Sequence, residues 1–333
     1  MANLKTLADL KEDFLVRVRE SQSVTANATI ATRYLNIALQ DMHIEQLNRF
    51  PWAERRGVLI TRAPYTTGTV SITTASSRTA VSGTSTLWTT TDTYGIANAR
   101  AGGKIKFSGV NEVSEVATVG GAGSITLYST YTGSDLTDAS YTYFEDEYAL
   151  ASDFARFVDL RNFSTDLDVP LIDRREFRQW YPRNDTSGKP RVATAIIRSF
   201  SGTSALRHTV VLHPYPDAAY SIPYWYVTNN LAVTSAGVEQ ERLSADTDEP
   251  IVPHQYRHAI VFHALYHFYR DLKDDMRSQE AKGEYIDLVT RICGDAVGVG
   301  DNRPRFVVPR AHSSRYRQRY STNSAFDELR DRR

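Results

Sequence analysis

Apolar residues at helical spacing begin close to the amino terminus. Leu7, Leu10, Phe14 and Val18 recur at steps of three and four residues behind Thr6. This spacing places them on one face of a helix, and threonine is a suitable N-cap. The pattern predicts an amphipathic first helix whose apolar stripe is buried.

A second helix is predicted to begin near residues 25–29. Its apolar side is formed by Leu35, Ala38, Leu39 and Met42, with Ile44 and Leu47 beyond them. The helix should end at Phe50, because a following proline, here Pro51, disfavours helical geometry in the residue before it. Trp52 then follows as a large apolar anchor.

One long helix is predicted after Pro253, a residue type that suits the first helical turn. The part from Ala259 to Tyr269 is apolar nearly all round, which indicates burial on every side. Unbroken, the helix would reach about 58 Å, and Gly283 is the candidate position for a break. Four aromatic residues are predicted to lie in the core: Trp52, Phe262, Tyr266 and Tyr269.

Short runs of β-branched residues fill the middle of the chain. From Thr66 to about Phe144 they are separated by Gly, Ser and Asn turns. Alternation such as Val70, Ile72 and Thr74 is typical of strands with one buried face. We interpret residues 66–144 as an inserted β-sandwich or barrel, called the β module below.

The remaining segments complete a mixed fold. Residues 145–163 are predicted to return the chain through a short helix, and further strands are predicted in RRGVLITRAPY, PRVATAIIRSF, RHTVVLHPYP and YSIPYWYV. The predicted fold class is α+β: a helical bundle from the N-terminal and C-terminal helices plus strands, with the β module and an extended arm. Residues 1–65 and 145–300 form a discontinuous core, and residues 301–333 form the C-terminal arm.

Charge is unevenly distributed along a chain whose formal net charge is zero. Residues 303–333 carry nine arginines against three carboxylates, a balance of +6, so the preceding residues carry −6. An acidic body with a basic arm suits pairing between copies or with an acidic partner, and it argues against a body that coats DNA. The single cysteine, Cys293, excludes an intramolecular disulfide framework and fits assembly in a reducing cytoplasm. No apolar run is long enough to predict a membrane span.

Candidate chemistry is sparse. His254 with His258, and His263 with His267, stand four residues apart on the long helix, a spacing that can chelate a metal. Neither pair has the glutamate of an HExxH motif, so we interpret these side chains as packed or hydrogen-bonded histidines. The sequence therefore predicts no metal, no cofactor and no catalytic residue, and a protein that is not an enzyme.

The C-terminal arm carries the strongest indication of function in the sequence. The stretch RPRFVVPRAHSSRYRQRY, residues 303–320, contains six arginines and no carboxylate. Arginine pairs bidentately with carboxylates, and the apolar FVV at residues 306–308 suits a groove on a protein. We predict that the arm binds a neighbouring protein. The alternative is a DNA-contacting arm, in which the arginines meet phosphates and Tyr316 and Tyr320 stack on bases.

Several stretches, taken in order, resemble a known family. TRYLNIALQDMHIEQLNRFPWAERR resembles the N-terminal helical signature of bacteriophage head-to-tail adaptor (connector) proteins of the podophage-type neck. YALASDFARFVDLRN resembles their leucine-proline-x-aspartate-phenylalanine element, with Ala151 in place of the proline. FRQWYPRNDTSGKPRVAT, VVLHPYPDAAYSIPYWYV and IVPHQYRHAIVFHALYHFYRDLKDDMRSQEAKGEYIDLV follow in the expected order. The β module lies outside the resemblance.

The resemblance implies a structural virion protein of the neck and tail. Such adaptors are expected to form an oligomeric ring, twelve-fold, below the portal protein. The ring extends the channel for genomic DNA and offers a docking surface to tail nozzle, tube or fibre proteins, and no membrane is involved. Helices pack side by side around the ring, and the C-terminal extension reaches the portal.

On this interpretation the arm binds the portal or a neighbouring subunit. The residues predicted to do so are Arg303, Arg305, Phe306, Val307, Val308, Arg310, Arg315, Tyr316, Arg317, Arg319 and Tyr320. One alternative is a tail tube, nozzle or fibre-attachment protein, which would be mostly β. Another is a DNA-binding protein, which the acidic body disfavours.

Overall fold

The computed structural model describes residues 4–21, 23–44, 50–73, 78–162, 167–199 and 206–301. Within these ranges the fold is mixed α+β, with five helices and several sheets, one of them curled into a half-barrel. The helices are α1 (Leu7–Val18), α2 (Thr25–Ile44), α3 (Arg174–Trp180), α4 (His258–Asp271) and α5 (Asp275–Asp301). Short 3₁₀ turns occupy Pro51–Ala53 and His254–Tyr256.

The strands of the described residues pair antiparallel. They are β1 (Glu54–Ile60), β2 (Thr69–Ile72), β3 (Ala80–Thr84), β4 (Lys104–Phe107), β5 (Val113–Gly121), β6 (Ser124–Leu127), β7 (Leu136–Ala139), β8 (Tyr141–Phe144), β9 (Glu147–Ala149), β10 (Phe154–Asn162), β11 (Leu167–Asp168), β12 (Val192–Ser199), β13 (Leu206–His213), β14 (Ser221–Thr228), β15 (Ala232–Val233), β16 (Glu239–Gln240) and β17 (Glu249–Pro250). The sheet orders are β7-β2-β3-β6-β5-β4-β8, β1-β14-β10-β11, β12-β13-β9 and β16-β15-β17.

Helix α1 begins at the predicted cap. The Thr6 hydroxyl accepts from the Asp9 backbone N–H at 3.4 Å, and the Asp9 carboxylate accepts from the Thr6 N–H at 2.9 Å. These reciprocal bonds satisfy two N–H groups that a helix start leaves without partners. The predicted stripe is buried at Leu7, Leu10 and Phe14, each of which contributes about 1.5–3 kcal/mol relative to exposure.

Helix α2 buries the predicted face, and its buried side chains pack in one apolar cluster with α1, α4 and α5. Ile44, the last residue of α2, is exposed, and Leu47 lies outside the described residues. Phe50 is extended (φ −79°, ψ 122°), as the following proline requires. Helix α2 is described to Ile44, and residues 45–49 lie outside the described ranges, so the predicted helix end at Phe50 stays a prediction.

The prediction of one unbroken C-terminal helix is wrong. It is two helices, α4 and α5, because Lys273 adopts a left-handed φ of 58°. The Lys273 and Asp274 N–H groups donate to the carbonyls of Arg270 and Tyr269, both at 3.0 Å, which ends α4. Gly283, the candidate position for the break, lies inside α5. The turn at Lys273 contains no glycine, so little in the sequence indicates it.

The four predicted core aromatics all contact the helical cluster, to different depths. Tyr269 is buried, whereas Trp52, Phe262 and Tyr266 are partly buried against the cluster. Trp52 stacks on Phe50 with ring centroids 4.2 Å apart. The aromatic pair therefore fixes the connection from the helices into β1.

The short helix predicted in residues 145–163 is also wrong: the segment forms β9 and β10. Strand β10 pairs with β14 with register shifts between Phe154 and Arg156 and between Phe157 and Asp159. Such bulges insert extra residues and replace the two-residue period by a three-residue step. Phe154 and Phe157 thus meet at 4.6 Å, a spacing that resembles a helical pattern in the sequence. The strands predicted in the other four stretches are confirmed as β1, β12, β13 and β14.

The β module contains one seven-stranded sheet within its described residues, where a sandwich or barrel was predicted. Its core is centred on Trp88, whose ring is fully buried. The Trp88 Nε1–H donates to the Tyr141 hydroxyl at 3.0 Å, and that hydroxyl donates to the Thr67 carbonyl at 2.7 Å. A buried indole N–H needs such a partner. These bonds therefore fix the Trp88 ring against Tyr141 on β8.

Asp248 organises the loop that precedes α4. Its Oδ2 accepts from Gln240 Nε2 at 2.6 Å, from the Ser244 N–H at 2.8 Å and from the Ala245 N–H at 2.7 Å. Its carbonyl accepts from the Leu7 N–H at 2.8 Å, so the loop also caps α1. Burial alone raises the pKa of Asp248, but the hydrogen bonds from Ala245 and Ser244 outweigh it and hold the pKa below its usual range.

We expect Asp248→Asn to lower the free energy of unfolding by about 1.5–3 kcal/mol, because an amide replaces a charged acceptor. The same group predicts acid sensitivity. The folded protein lowers the pKa of Asp248, so the ionised carboxylate stabilises the fold at pH values above the usual aspartate pKa, about 4. This stabilisation is lost as the pH falls below that value. Chemical denaturation at several pH values measures both effects. Asp287→Asn, at an exposed position on α5, is the control and should change stability by less than about 0.5 kcal/mol. Equal losses in the two variants would contradict this role.

Candidate functional site

The predicted binding residues of the arm, Arg303 to Tyr320, lie outside the described residues. The last described residue is Asp301, at the end of α5. Helix α5 spans 27 residues, so it extends for about 40 Å up to the first residue of the arm. The portal-binding role of the arm stays a prediction.

A cluster of ion pairs joins the β module to the sheets that follow it. We call it the junction cluster, and it consists of Arg100, Lys104, Glu115, Glu145, Asp146, Glu147, Asn184 and Arg198. Three consecutive carboxylates, residues 145–147, form its centre at the passage from β8 to β9. The partners come from β4 and the segment before it, from β5 and β12, and from the loop after α3, so the cluster connects separate sheets.

Asp146 is the most buried of the three carboxylates, with 1% of its side chain exposed. Its Oδ2 accepts from Lys104 Nζ at 2.5 Å and from Asn184 Nδ2 at 2.8 Å. Its Oδ1 is buried and has no hydrogen-bond partner in the described part of the chain. Lys104 therefore supplies the main compensation for a buried charge, which is costly to leave unpaired.

The flanking carboxylates are held in the same way. Glu145 accepts from Arg100 and, at 2.8 Å, from the Tyr143 hydroxyl. Glu147 accepts from Arg198 at 2.5 Å, and Arg198 also binds Glu115 on β5. Burial raises the pKa of Glu147 and the adjacent Asp146 raises it further, whereas Lys104 opposes both. The junction cluster therefore links the sheets, and its carboxylates pair with cations of the same cluster.

The two histidine pairs differ in the structure. His254 is exposed and His258 is half-buried, whereas His263 and His267 are buried, as the core interpretation predicts. Burial first, and the neighbouring His267 second, lower the pKa of His263 to about 4. His267 Nε2 lies 2.9 Å from a carboxylate oxygen of Asp41 on α2. The second pair thus gains a third polar group that the sequence did not reveal.

An open cleft of about 920 Å³ lies between α2 and the segment 229–244. Its lining includes Arg33, Asn36, His43, Asn229, Glu241 and Arg242. The side-chain amide of Asn36 is hydrogen-bonded to the backbone of Leu243. It donates to the Leu243 carbonyl at 3.0 Å and accepts from the Leu243 N–H at 2.9 Å. These bonds join the cleft walls, so Asn36 has a structural role there.

Several apolar side chains on the helices are exposed in the isolated chain. They are Val16 on α1, Ile30 and Ile44 on α2, and Met276 and Ile286 on α5. Single exposed apolar residues are common, but here they recur on three helices that share one core. The helices therefore offer apolar contact positions to another protein.

The turn at Ala151 forms without the proline of the family element. The Phe154 N–H donates to the Ala151 carbonyl at 3.1 Å, and the Ala151 N–H donates to the Tyr224 hydroxyl at 3.1 Å. The Asp153 carboxylate accepts from the Thr228 hydroxyl at 2.7 Å. Bonds to β14 hold this turn with alanine at position 151.

Exposed apolar positions on three helices are of the kind that contact other proteins. A family model for the SU10 adaptor protein matches residues 112–310. The match spans more than half of the chain, so the chain belongs to the SU10 adaptor protein family. It is a bacteriophage structural adaptor and a virion component, and such an adaptor interacts with other virion proteins such as the portal. No curated protein sequence matches the chain.

The extent of the match differs from the resemblance seen in the sequence. It begins inside the β module, at residue 112, and so includes strands β5 to β8. It does not include the stretch from Thr32 to Arg56, which carried the N-terminal resemblance. It ends at residue 310 and so includes the first part of the arm. Membership of a structural adaptor family favours the prediction that the protein is not an enzyme. No helix in the described ranges has the length and apolar character to cross a membrane.

Proposed function

We propose that copies of this chain form a ring, expected to be twelve-fold, below the portal of a podophage-type neck. The ring joins the portal to the tail and extends the channel through which genomic DNA passes. The observation that carries this proposal is the family match, which runs from the β module through α3, α4 and α5 into the arm. The helices of the described chain favour this adaptor over a tail-tube or fibre protein, which would be mostly β.

The helical faces are the proposed lateral contacts of the ring. Val16, Ile30, Ile44, Met276 and Ile286 are exposed in one chain and become buried between neighbouring copies. Burying apolar area is the main favourable term in most protein association. Repetition around a closed ring multiplies the effect of each contact.

The arm is the proposed strap to the portal or the next subunit. Its arginines pair with carboxylates, and Phe306, Val307 and Val308 enter an apolar groove. Residues 303–310 lie inside the family match, which supports a role for this part of the arm, whereas residues 315–320 lie beyond it. A basic arm also complements the acidic body of a neighbouring copy, whose residues before 303 carry −6.

The β module is the proposed docking surface for tail nozzle, tube or fibre proteins. The junction cluster supports this role because it fixes the module to the sheets that follow it, so a load on the module reaches the rest of the chain. Assembly takes place in the host cytoplasm before the adaptor joins the virion.

We expect Ile286→Glu to weaken association of the purified chain by about 10-fold to 100-fold, because a charge replaces an apolar contact worth about 1.5–3 kcal/mol. Light scattering coupled to size-exclusion chromatography measures the oligomeric state over a concentration series. Val238→Glu is the matched control: Val238 is 61% exposed, compared with 50% for Ile286, but lies in the turn between β15 and β16. Unchanged association of Ile286→Glu would remove the α5 face from the proposed interface.

A further inference from the structure

Three side chains from two helices converge on one point. Asp41 lies on α2, His263 and His267 lie one turn apart on α4, and one ligand atom of each lies within 4.8 Å of the others. Nε2 of His267 is 3.2 Å from Nε2 of His263 and 2.9 Å from Oδ2 of Asp41. We propose that this cluster binds one divalent transition-metal ion, best matched by Zn²⁺, and that the ion fastens α2 to α4.

The separations are close to those of a tetrahedral zinc site. Zinc binds imidazole nitrogen and carboxylate oxygen at about 2.0–2.2 Å, which puts two ligand atoms of a tetrahedron about 3.3–3.6 Å apart. The contact between the two histidine nitrogens, 3.2 Å, is near this range, and the nitrogen–oxygen contact of 2.9 Å needs only a small opening. Asp41 is partly exposed, so its carboxylate can rotate to complete the third edge.

Two of the three converging atoms can share one proton, and the third then presents a lone pair to the same point. If His267 Nε2 carries a proton, it donates to Asp41, and His263 Nε2 must then be bare and its proton must lie on Nδ1. That Nδ1 is buried without a hydrogen bond of normal geometry among the described residues, although the Ala38 backbone is near enough to attract a ring proton. If His267 Nε2 is bare, its lone pair faces the carboxylate. A cation bound through His263 Nε2 leaves the proton on Nδ1 and accepts a lone pair from each of the three converging atoms.

The surroundings hold the ligands in place. The Tyr285 ring stacks on His263 with centroids 4.0 Å apart, which fixes the imidazole plane. Arg270 opposes a cation at this position, whereas Asp271, whose carboxylate accepts from Tyr34 at 2.8 Å, favours one. Histidine and aspartate are ligands that suit zinc and similar metals, and His₂Asp leaves one position for water on the open Asp41 side.

The role of the ion is structural and independent of the proposed function. It would join a helix from the first part of the chain to one from the last part, inside the shared apolar cluster. A metal that binds the folded state alone adds to stability by mass action. The sequence predicted no metal here because Asp41, the third ligand, lies more than 200 positions before the histidines.

The test uses the purified full chain, stripped with a chelator and titrated with Zn²⁺ or Co²⁺. We expect one ion per chain, a visible spectrum typical of four-coordinate Co²⁺, and a melting temperature raised by several degrees at saturating Zn²⁺. No binding at one equivalent, or no Zn²⁺-dependent shift, overturns the proposal.

Three variants assign the site. His267→Gln should abolish stoichiometric binding, and Asp41→Asn, which keeps the side-chain shape at a partly exposed position, should weaken it at least 10-fold. His254→Gln, from the exposed end of the other pair, should bind as the wild type does. Should His267→Gln fail to fold, Asp41→Asn decides: wild-type affinity in that variant, or an equal loss in His254→Gln, rejects the site.

Discussion

Replacing Lys104 by Met should lower the free energy of unfolding by about 3–5 kcal/mol, because the change leaves a buried carboxylate without its main partner. Asp146 has 1% of its side chain exposed and would retain only Asn184. Lys104 also lies 3.7 Å from Glu147, which would lose part of its compensation. Urea denaturation followed by fluorescence measures the loss, and the midpoint should fall without a change of fold at low urea.

The strand itself provides the control. Lys106 lies two residues further along β4 and pairs with Asp185 at 3.4 Å, with about a third of each side chain exposed. Lys106→Met should cost no more than about 1 kcal/mol, because solvent screens an exposed pair. Lys104→Met combined with Asp146→Asn should recover part of the loss, since the second change removes the buried charge. Equal effects of the two lysine variants would show that burial does not determine the strength of the junction cluster.

Truncation after Asp301 should weaken binding of the adaptor to the portal by at least about 100-fold. The loss of two apolar anchors from residues 306–308, each worth about 1.5 kcal/mol or more, accounts for that factor. Surface plasmon resonance with immobilised portal measures it. Truncation after Tyr320 is the matched control, because it removes arginines and carboxylates of the terminus but keeps the strap, and it should bind as the full chain does.

A second pair of measurements separates the strap from a DNA-contacting arm. Arginine-to-lysine changes at Arg303, Arg305 and Arg310 keep the charge but lose the planar fork that pairs with carboxylates. They should weaken portal binding while leaving DNA binding nearly unchanged. A steep loss of DNA affinity with salt, together with portal binding that survives truncation, would favour the DNA arm instead.

The sequence predicts those parts of the fold in which local pattern and burial agree. The cap at Thr6 and the buried face of α2 follow from helical spacing, and the strands of the second set follow from β-branched runs. The wrong predictions lie where the backbone departs from the regular repeat of a strand or a helix. Bulges in β10 place Phe154 and Phe157 three positions apart on one face, and Lys273 takes a left-handed turn that glycine usually marks.

The candidate sites were harder to predict for a different reason. The junction cluster pairs Asp146 with Lys104 and Asn184, 42 and 38 positions away, and no local pattern records such contacts. The run Glu-Asp-Glu at residues 145–147 was the one available signal, since three adjacent carboxylates between strands need nearby cations. The histidine spacing was visible, but its completion by Asp41 depends on how α2 packs against α4.

Electron microscopy of the purified chain mixed with its portal protein shows directly whether copies of the chain assemble below the portal. We expect a ring with a central channel, stacked coaxially on the portal, with twelve copies resolved in end views. A chain that remains a stable monomer at high concentration and shows no association with the portal would contradict it.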